Sequence, residues 1–225
     1  MYVSLERAHR WVQAPRMRAP RHPASSLAAA ARRSPADRVI VFGASFAVAA
    51  LVALIVTQCI DFAVYDLRIR ALDSDTHRSV FGVISLLAQA GTVLVIGARC
   101  LSPSRRAGWL VLGALIAVLL LVRALLSDQP LAYALPVTAA FVLFWWLTAA
   151  DYPAARTVLR VGLFVLAFSF VVHIVGPKII DHLGYGYGTW PYEIKGMTKH
   201  SAELAGWVLV DTGVLAGWVA RRRPA

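Results

Sequence analysis

Residues 39–60 read VIVFGASFAVAALVALIVTQCI, a stretch that is apolar throughout and contains no charged side chain. A helix needs about 20 such residues to cross the hydrocarbon core of a bilayer. Five further windows have the same character, with at most two charged residues each: 79–98, 107–126, 131–150, 157–176 and 201–220. The sequence therefore predicts an all-α fold, a polytopic membrane bundle of six transmembrane helices.

The composition of the whole chain agrees with this fold class. Hydrophobic residues make up 59% of the 225 residues and charged residues 16%, whereas soluble domains carry about a quarter charged residues. These values exclude a disordered chain and disfavour a soluble globular domain. A transmembrane barrel would show strands of about 10 residues with alternating polarity, and the sequence has no such alternation.

The chain divides into a basic tail at residues 1–38, a six-helix transmembrane domain at 39–220 and a basic C-terminus at 221–225. The tail, which we expect to be largely flexible, carries eight arginines against Glu6 and Asp37. A basic segment beside a membrane span is attracted to anionic lipid headgroups. We therefore expect the partners of the chain to be the bilayer and these headgroups, and not nucleic acid.

The distribution of basic residues predicts the orientation. An even number of spans leaves both termini on one side, and that side then carries 16 of the Lys and Arg residues against 7 on the other. Positive charge favours the cytoplasmic side, which predicts a multi-pass protein of the plasma (inner) membrane with both termini inside. The bias towards Arg and Ala is typical of a bacterial, high-GC genome. Two long outer connections are expected at 61–78 and 177–200, and Pro136 predicts a kink in the fourth span.

The sixth window contains two acids in an otherwise apolar helix, Glu203 and Asp211. Asp211 lies about 80° around the helix from Glu203 and about 12 Å deeper. A carboxyl group at that depth faces a partner or a water-filled cavity, or it is protonated. It acts either in a proton relay or ligand site, or as a hydrogen-bonded packing group. A stripe of small residues on the same helix predicts close helix packing: Ala202, Gly206, Gly213 and Gly217.

Residues at matching depth could complete a polar pocket in the outer half of the bundle. Arg123 lies at about the depth of Glu203, and Gln89 at about the depth of Asp211. Arginine near a helix end can instead extend to the membrane surface. The predicted ligand or proton pocket contains Arg123, Glu203, Asp211, Gln89, His173 and Asp61.

Metal ligation has only weak candidates. Asp73, Asp75 and His77 could hold a divalent cation, but the same segment suits the start of a helix, where an acid complements the helix dipole. Cys59 and Cys100 show no metal-binding spacing and are expected at opposite ends of the bundle, too far apart for a disulfide. No cofactor is predicted, and the catalytic residues, if any, stay unassigned.

Three classes of function remain open. We favour a non-catalytic accessory or ligand- or lipid-binding membrane protein with an outward-facing polar pocket, because no complete catalytic motif or internal repeat is present. A larger membrane complex is a further candidate partner. The first alternative is a small proton-coupled transporter that uses Glu203 or Asp211. The second is an outer-leaflet, membrane-embedded hydrolase that uses His and Asp side chains.

Overall fold

The computed structural model describes residues 34–65, 69, 80–101, 105–125 and 134–222, with the side chains of 81 and 123–125 excepted. These residues form helices and no strands. The helices are α1 Pro35–Tyr65, α2 Val80–Cys100, α3 Arg106–Leu125, α4 Ala134–Leu147, α5 Pro153–His182 and α6 Trp190–Arg221. The predicted all-α class is thus confirmed.

Four of the helices, α1, α2, α5 and α6, are long and apolar enough to cross a membrane. Helix α4 has 14 residues, which at 1.5 Å per residue spans about 21 Å, less than the roughly 30 Å of a hydrocarbon core. Large apolar side chains cover the exterior of the described bundle, among them Phe42, Val64, Leu94 and Leu121, each more than half exposed. Such a surface is suited to lipid and not to water.

Consecutive helices alternate in direction, and the bundle therefore has two ends. We call them the Arg99 end, where α1, α3 and α5 begin and α2, α4 and α6 finish, and the Glu193 end, where the reverse holds. The contacts that establish the directions are Gly43–Thr212 and Gln58–Glu193 for α1 and α6, Leu159–Gly213 and Gly176–Lys195 for α5 and α6, Arg99–Trp109 for α2 and α3, and Gly108–Leu147 for α3 and α4. Cys59 and Cys100, both free, lie towards opposite ends.

Helix α1 begins before the predicted boundary at residue 39. Ser34 Oγ accepts a hydrogen bond from the Asp37 backbone N–H, and Asp37 Oδ2 accepts one from the Ser34 N–H, both at 3.1 Å. This reciprocal pair satisfies two backbone donors that a helix start leaves without partners. The apolar window missed the first turn because that turn contains Asp37 and Arg38.

The predicted long connection at 177–200 is wrong. Helix α5 continues to His182, only residues 183–189 connect the two helices, and α6 starts at Trp190 with Pro191 in its first turn. Proline is well accepted there, because the first backbone N–H groups of a helix have no partner within it. The charged residues of these turns lowered the hydropathy of the segment without preventing helix formation.

The predicted kink at Pro136 is also not supported. Pro136 is the third residue of α4, which begins at Ala134. At this position the missing N–H removes no hydrogen bond from the helix, so the proline does not force a bend.

Helix α6 is the centre of the bundle and packs along α5, α1 and α2. Its glycines allow close approach to α5. A Cβ atom on Gly213 would lie 2.5 Å from Leu159 Cβ, and one on Gly206 would lie 2.6 Å from Leu166 Cγ. On the α5 side, a Cβ atom on Gly162 would lie 2.8 Å from the Val210 backbone N. The small-residue stripe therefore packs against the neighbouring helix, as its spacing predicts.

Candidate functional site

A buried polar contact joins α1 and α6 at the Glu193 end. Gln58 Nε2 donates a hydrogen bond to Glu193 Oε2 at 3.1 Å, and the two residues are 0% and 2% exposed. One turn further along α1, Asp61 is also 0% exposed, and its Oδ1 accepts a hydrogen bond from the Ile69 N–H at 3.2 Å. Among the described residues, Asp61 Oδ2 has no hydrogen-bond donor. A buried acceptor left in this way is costly unless a donor reaches it.

Aromatic and sulfur-containing side chains pack around this contact. The rings of Phe62 and Trp190 meet edge to face with centroids 4.4 Å apart. Cys59 Sγ lies 3.8 Å from Met197 Sδ. The acids Asp61 and Glu193 are therefore held in an apolar setting, where electrostatic interactions are stronger than in water.

Sequence reasoning missed Glu193, because the residue was assigned to the connection at 177–200. The structure places it in the first turn of α6, where a negative charge is favoured by the helix dipole. Pro191, two residues before Glu193, is typical of a helix start and could have revealed this position.

Helix α2 presents a line of buried polar residues towards the interior. Ser85, Gln89, Thr92 and Arg99 are each at most 4% exposed. Their spacing of three, four and seven residues keeps them on one face of the helix. A polar seam therefore follows α2 from its second turn to the Arg99 end.

Asp211 meets this seam. Thr92 Oγ1 donates a hydrogen bond to Asp211 Oδ1 at 2.5 Å, and a Cβ atom on Gly91 would lie 3.3 Å from Asp211 Oδ2. Gln89, the expected neighbour of Asp211, lies one turn closer to the Glu193 end. The depth comparison from the sequence placed Gln89 beside Asp211, and the hydrogen bond to Asp211 comes from Thr92, three residues further along α2.

The hydroxyl of Thr92 has a second acceptor. The Ala88 carbonyl oxygen lies 3.3 Å from Thr92 Oγ1. When Asp211 is ionised, its carboxylate accepts a hydrogen bond from the Thr92 hydroxyl. A protonated Asp211 can instead donate to Thr92 Oγ1, whose own proton then turns to Ala88 O. The arrangement accommodates both protonation states of the carboxyl group without leaving a donor unsatisfied.

The other predicted pocket residues lie apart from Asp211. Glu203 is within 3.9 Å of His200 Nδ1, one turn earlier on α6, and His173 is half-buried on α5. The side chain of Arg123 is outside the described residues, so its expected pairing with Glu203 stays a prediction. The weak metal candidates Asp73, Asp75 and His77 are also outside the described residues. Within the described ranges no group of three or more His, Cys, Asp or Glu side chains could hold a metal ion.

A network of charged residues occupies the Arg99 end. Asp151, in the connection between α4 and α5, forms ion pairs with Arg99 through Oδ2 and with Arg221 through Oδ1. The Arg99 and Asp151 side chains are 3% and 1% exposed, and that of Arg221 is 33% exposed. The Arg99 guanidinium also lies over the ring of Trp109, 4.6 Å from its centroid. A Cβ atom on Gly217 would lie 2.6 Å from Asp151 Oδ2, so only glycine leaves room for the carboxylate there.

Three of the polar groups among the described side chains lie at different depths: Gln58, Asp61 and Glu193 at one end, Thr92 and Asp211 midway, and the Asp151 network at the other end. The last group pairs its carboxylate with two guanidinium groups, whereas the described residues around Asp61 and Glu193 in the first group offer no cation. No protein-family model, characterised protein or solved structure matches the chain.

Proposed function

We propose that the chain is a bacterial inner-membrane protein with six spans and both termini in the cytoplasm. Two observations support this orientation. Ala36, Ala155 and Ala216 pack together, so the first and last described helix ends meet at the Arg99 end. The basic residues there are Arg38, Arg99, Arg105, Arg106, Arg156, Arg160, Arg221 and Arg222, whereas the described ones towards the other end are Arg123, Lys178, Lys195 and Lys199. By the positive-inside rule the Arg99 end is cytoplasmic.

Within this topology the protein is a non-catalytic, ligand-binding or accessory protein whose polar site is in the outer half of the membrane. The observation that carries the proposal is Asp61, a fully buried carboxylate beside the Gln58–Glu193 hydrogen bond. Two acids held in an apolar setting favour a ligand that brings positive charge or hydrogen-bond donors. A cationic small molecule, or a basic side chain of a partner membrane protein, has this chemistry.

The test compares Asp61→Asn and Glu193→Gln with the matched variant Asp181→Asn, which changes an exposed acid at the same end. Purified protein is screened against organic ammonium compounds by thermal shift, and membranes are cross-linked to detect a partner. The proposal predicts stabilisation or a cross-linked product that Asp61→Asn and Glu193→Gln lose and Asp181→Asn keeps. Responses that are equal in all three variants would refute it.

A second function, proton-coupled transport, is favoured by the Thr92–Asp211 pair. Its hydroxyl and carboxyl groups can hold or release a proton with their hydrogen bonds kept, midway along the bundle. Proteoliposomes with an imposed potassium diffusion potential and an internal pH-sensitive dye measure proton flux. Transport through this pair predicts flux that Asp211→Asn abolishes and that Thr138→Val, a change at an exposed threonine of α4, leaves intact. A wild-type protein without flux removes this candidate. For a membrane-embedded hydrolase, no specific observation among the described residues adds support.

A further inference from the structure

Two arginines bind the turn that ends α4. Arg105 Nη1 donates to the carbonyl oxygens of Trp146 and Leu147, at 2.7 and 3.3 Å. Arg156 Nη1 donates to the Ala149 carbonyl oxygen at 2.8 Å. The last carbonyls of a helix have no partner within it and carry partial negative charge. Arg105, which directly precedes α3, and Arg156, in the first turn of α5, therefore both donate to carbonyl oxygens of one short turn.

The position of Arg105 is fixed by more than these hydrogen bonds. Its guanidinium lies over the ring of Trp146, 4.8 Å from the centroid. Its backbone has φ of 60°, the only positive φ of a non-glycine residue in the described part of the chain. This conformation is unfavourable for a side chain with a Cβ atom. Strain of this kind persists where the surrounding contacts hold it, and it often accompanies a functional contact.

Both guanidinium groups keep most of their hydrogen-bonding capacity. Each has five N–H donors, and the carbonyl contacts involve one nitrogen of each. The nearby acids are engaged elsewhere: Asp37 with Ser34 and Tyr152, and Asp151 with Arg99 and Arg221. Among the described residues, neither Arg105 nor Arg156 forms a salt bridge. Arg105 is exposed and Arg156 half-buried.

We infer that Arg105 and Arg156 form a binding site for the phosphate of an anionic phospholipid in the leaflet next to the Arg99 end. A guanidinium group binds phosphate oxygens through two parallel N–H donors. The site lies at the end of an apolar helix, where a headgroup phosphate lies when the bundle is in a bilayer. An anionic headgroup such as phosphatidylglycerol fits better than a zwitterionic one, which would bring its own cation next to the two arginines. This inference uses the membrane location of the chain and is independent of the carboxylate site at the Glu193 end.

The test measures lipid binding to the full chain by native mass spectrometry, with phosphatidylglycerol as the probe and phosphatidylcholine as the reference. The double variant R105Q/R156Q is compared with R38Q/R222Q, which removes two exposed arginines from the same end and changes the net charge equally. We expect phosphatidylglycerol affinity to fall about fivefold for each arginine removed at the site. The R38Q/R222Q variant should stay within about twofold of the wild type, and phosphatidylcholine binding should not change.

Two outcomes would overturn the inference. Equal losses in both double variants would mean that binding follows net charge and not a defined site. Unchanged phosphatidylglycerol affinity in R105Q/R156Q would exclude the two arginines. If that variant does not fold, R105K/R156K replaces it, since a lysine cannot hold a turn carbonyl and a phosphate with the same geometry. A several-fold loss in the lysine variant then supports the site, and wild-type affinity refutes it.

Discussion

Replacing Asp151 by asparagine should destabilise the protein more than any other single removal of an acid among the described residues. Asp151 is the shared anion of Arg99 and Arg221. Its loss leaves the guanidinium of Arg99, which is 3% exposed, without a compensating charge in a low-dielectric setting. Removal of one partner from a buried ion pair typically costs about 3–5 kcal/mol.

The structure places the expected cost near the lower limit of that range. Arg221 is 33% exposed, so it can turn to solvent and adds little to the loss. The ring of Trp109 still stabilises the Arg99 cation, by about 0.5–2 kcal/mol. An asparagine oxygen can also still accept a hydrogen bond from Arg99. We therefore expect Asp151→Asn to cost about 3 kcal/mol of unfolding free energy.

A double-mutant cycle with Arg99→Met measures this coupling. Unfolding of the purified protein is followed by circular dichroism during titration of mixed micelles with dodecyl sulfate. The double variant should be less destabilised than the sum of the single variants by about 2 kcal/mol or more, because it leaves no unpaired charge. Asp181→Asn, at an exposed position, is the control and should stay within about 0.5 kcal/mol. Additive single effects, or a cost below about 1 kcal/mol for Asp151→Asn, would refute the reasoning.

Three further outcomes follow from the fold. In a variant without native cysteines, Tyr185→Cys in the α5–α6 connection should react with a membrane-impermeant maleimide added to intact cells. Ala150→Cys, at the other end of the bundle, should react only after lysis. The reverse labelling pattern would contradict the proposed orientation. Gly213→Ala should destabilise the protein by about 1–3 kcal/mol, because its Cβ would lie 2.5 Å from Leu159 Cβ. The control Gly97→Ala, with nothing within 4 Å of the added atom, should be neutral or stabilising in the same titration. Ser34→Ala should cost about 1 kcal/mol through loss of the α1 cap, and a shift below about 0.3 kcal/mol would contradict the capping assignment.

The order and type of the helices could be predicted from the sequence because each apolar stretch is long enough to exclude a strand. Helix ends could not, because a hydropathy window detects the part of a helix that fits the hydrocarbon core. The first turn of α1 contains Asp37, and the first three turns of α6 contain Glu193, Lys195 and Lys199. These turns are helical but polar, so a pattern of apolar residues does not identify them.

Which polar residues contact each other depends on the register between neighbouring helices, and composition does not determine that register. Asp211 was singled out as an acid inside a span with Gln89 as its expected neighbour, and the structure shows a hydrogen bond to it from Thr92. Glu193 was overlooked because it was assigned to the predicted connection at 177–200 and not to helix α6. Asp151 received no role because it is a single acid in a short turn, and only the packing of α2 and α6 around that turn brings Arg99 and Arg221 to it.

The least apolar of the four long helices is the most buried one. In the most apolar stretch of α6, 61% of the residues are buried, against 17% in α1, the most apolar helix. This ranking is the reverse of that in a soluble protein, because an apolar side chain gains nothing by leaving lipid for the bundle interior. A carboxylate or a guanidinium group is unfavourable in contact with lipid. The flat surface of a glycine stripe makes better van der Waals contact with another helix than with lipid. Helix α6 carries both acids and a glycine stripe, and the neighbouring helices therefore pack around it.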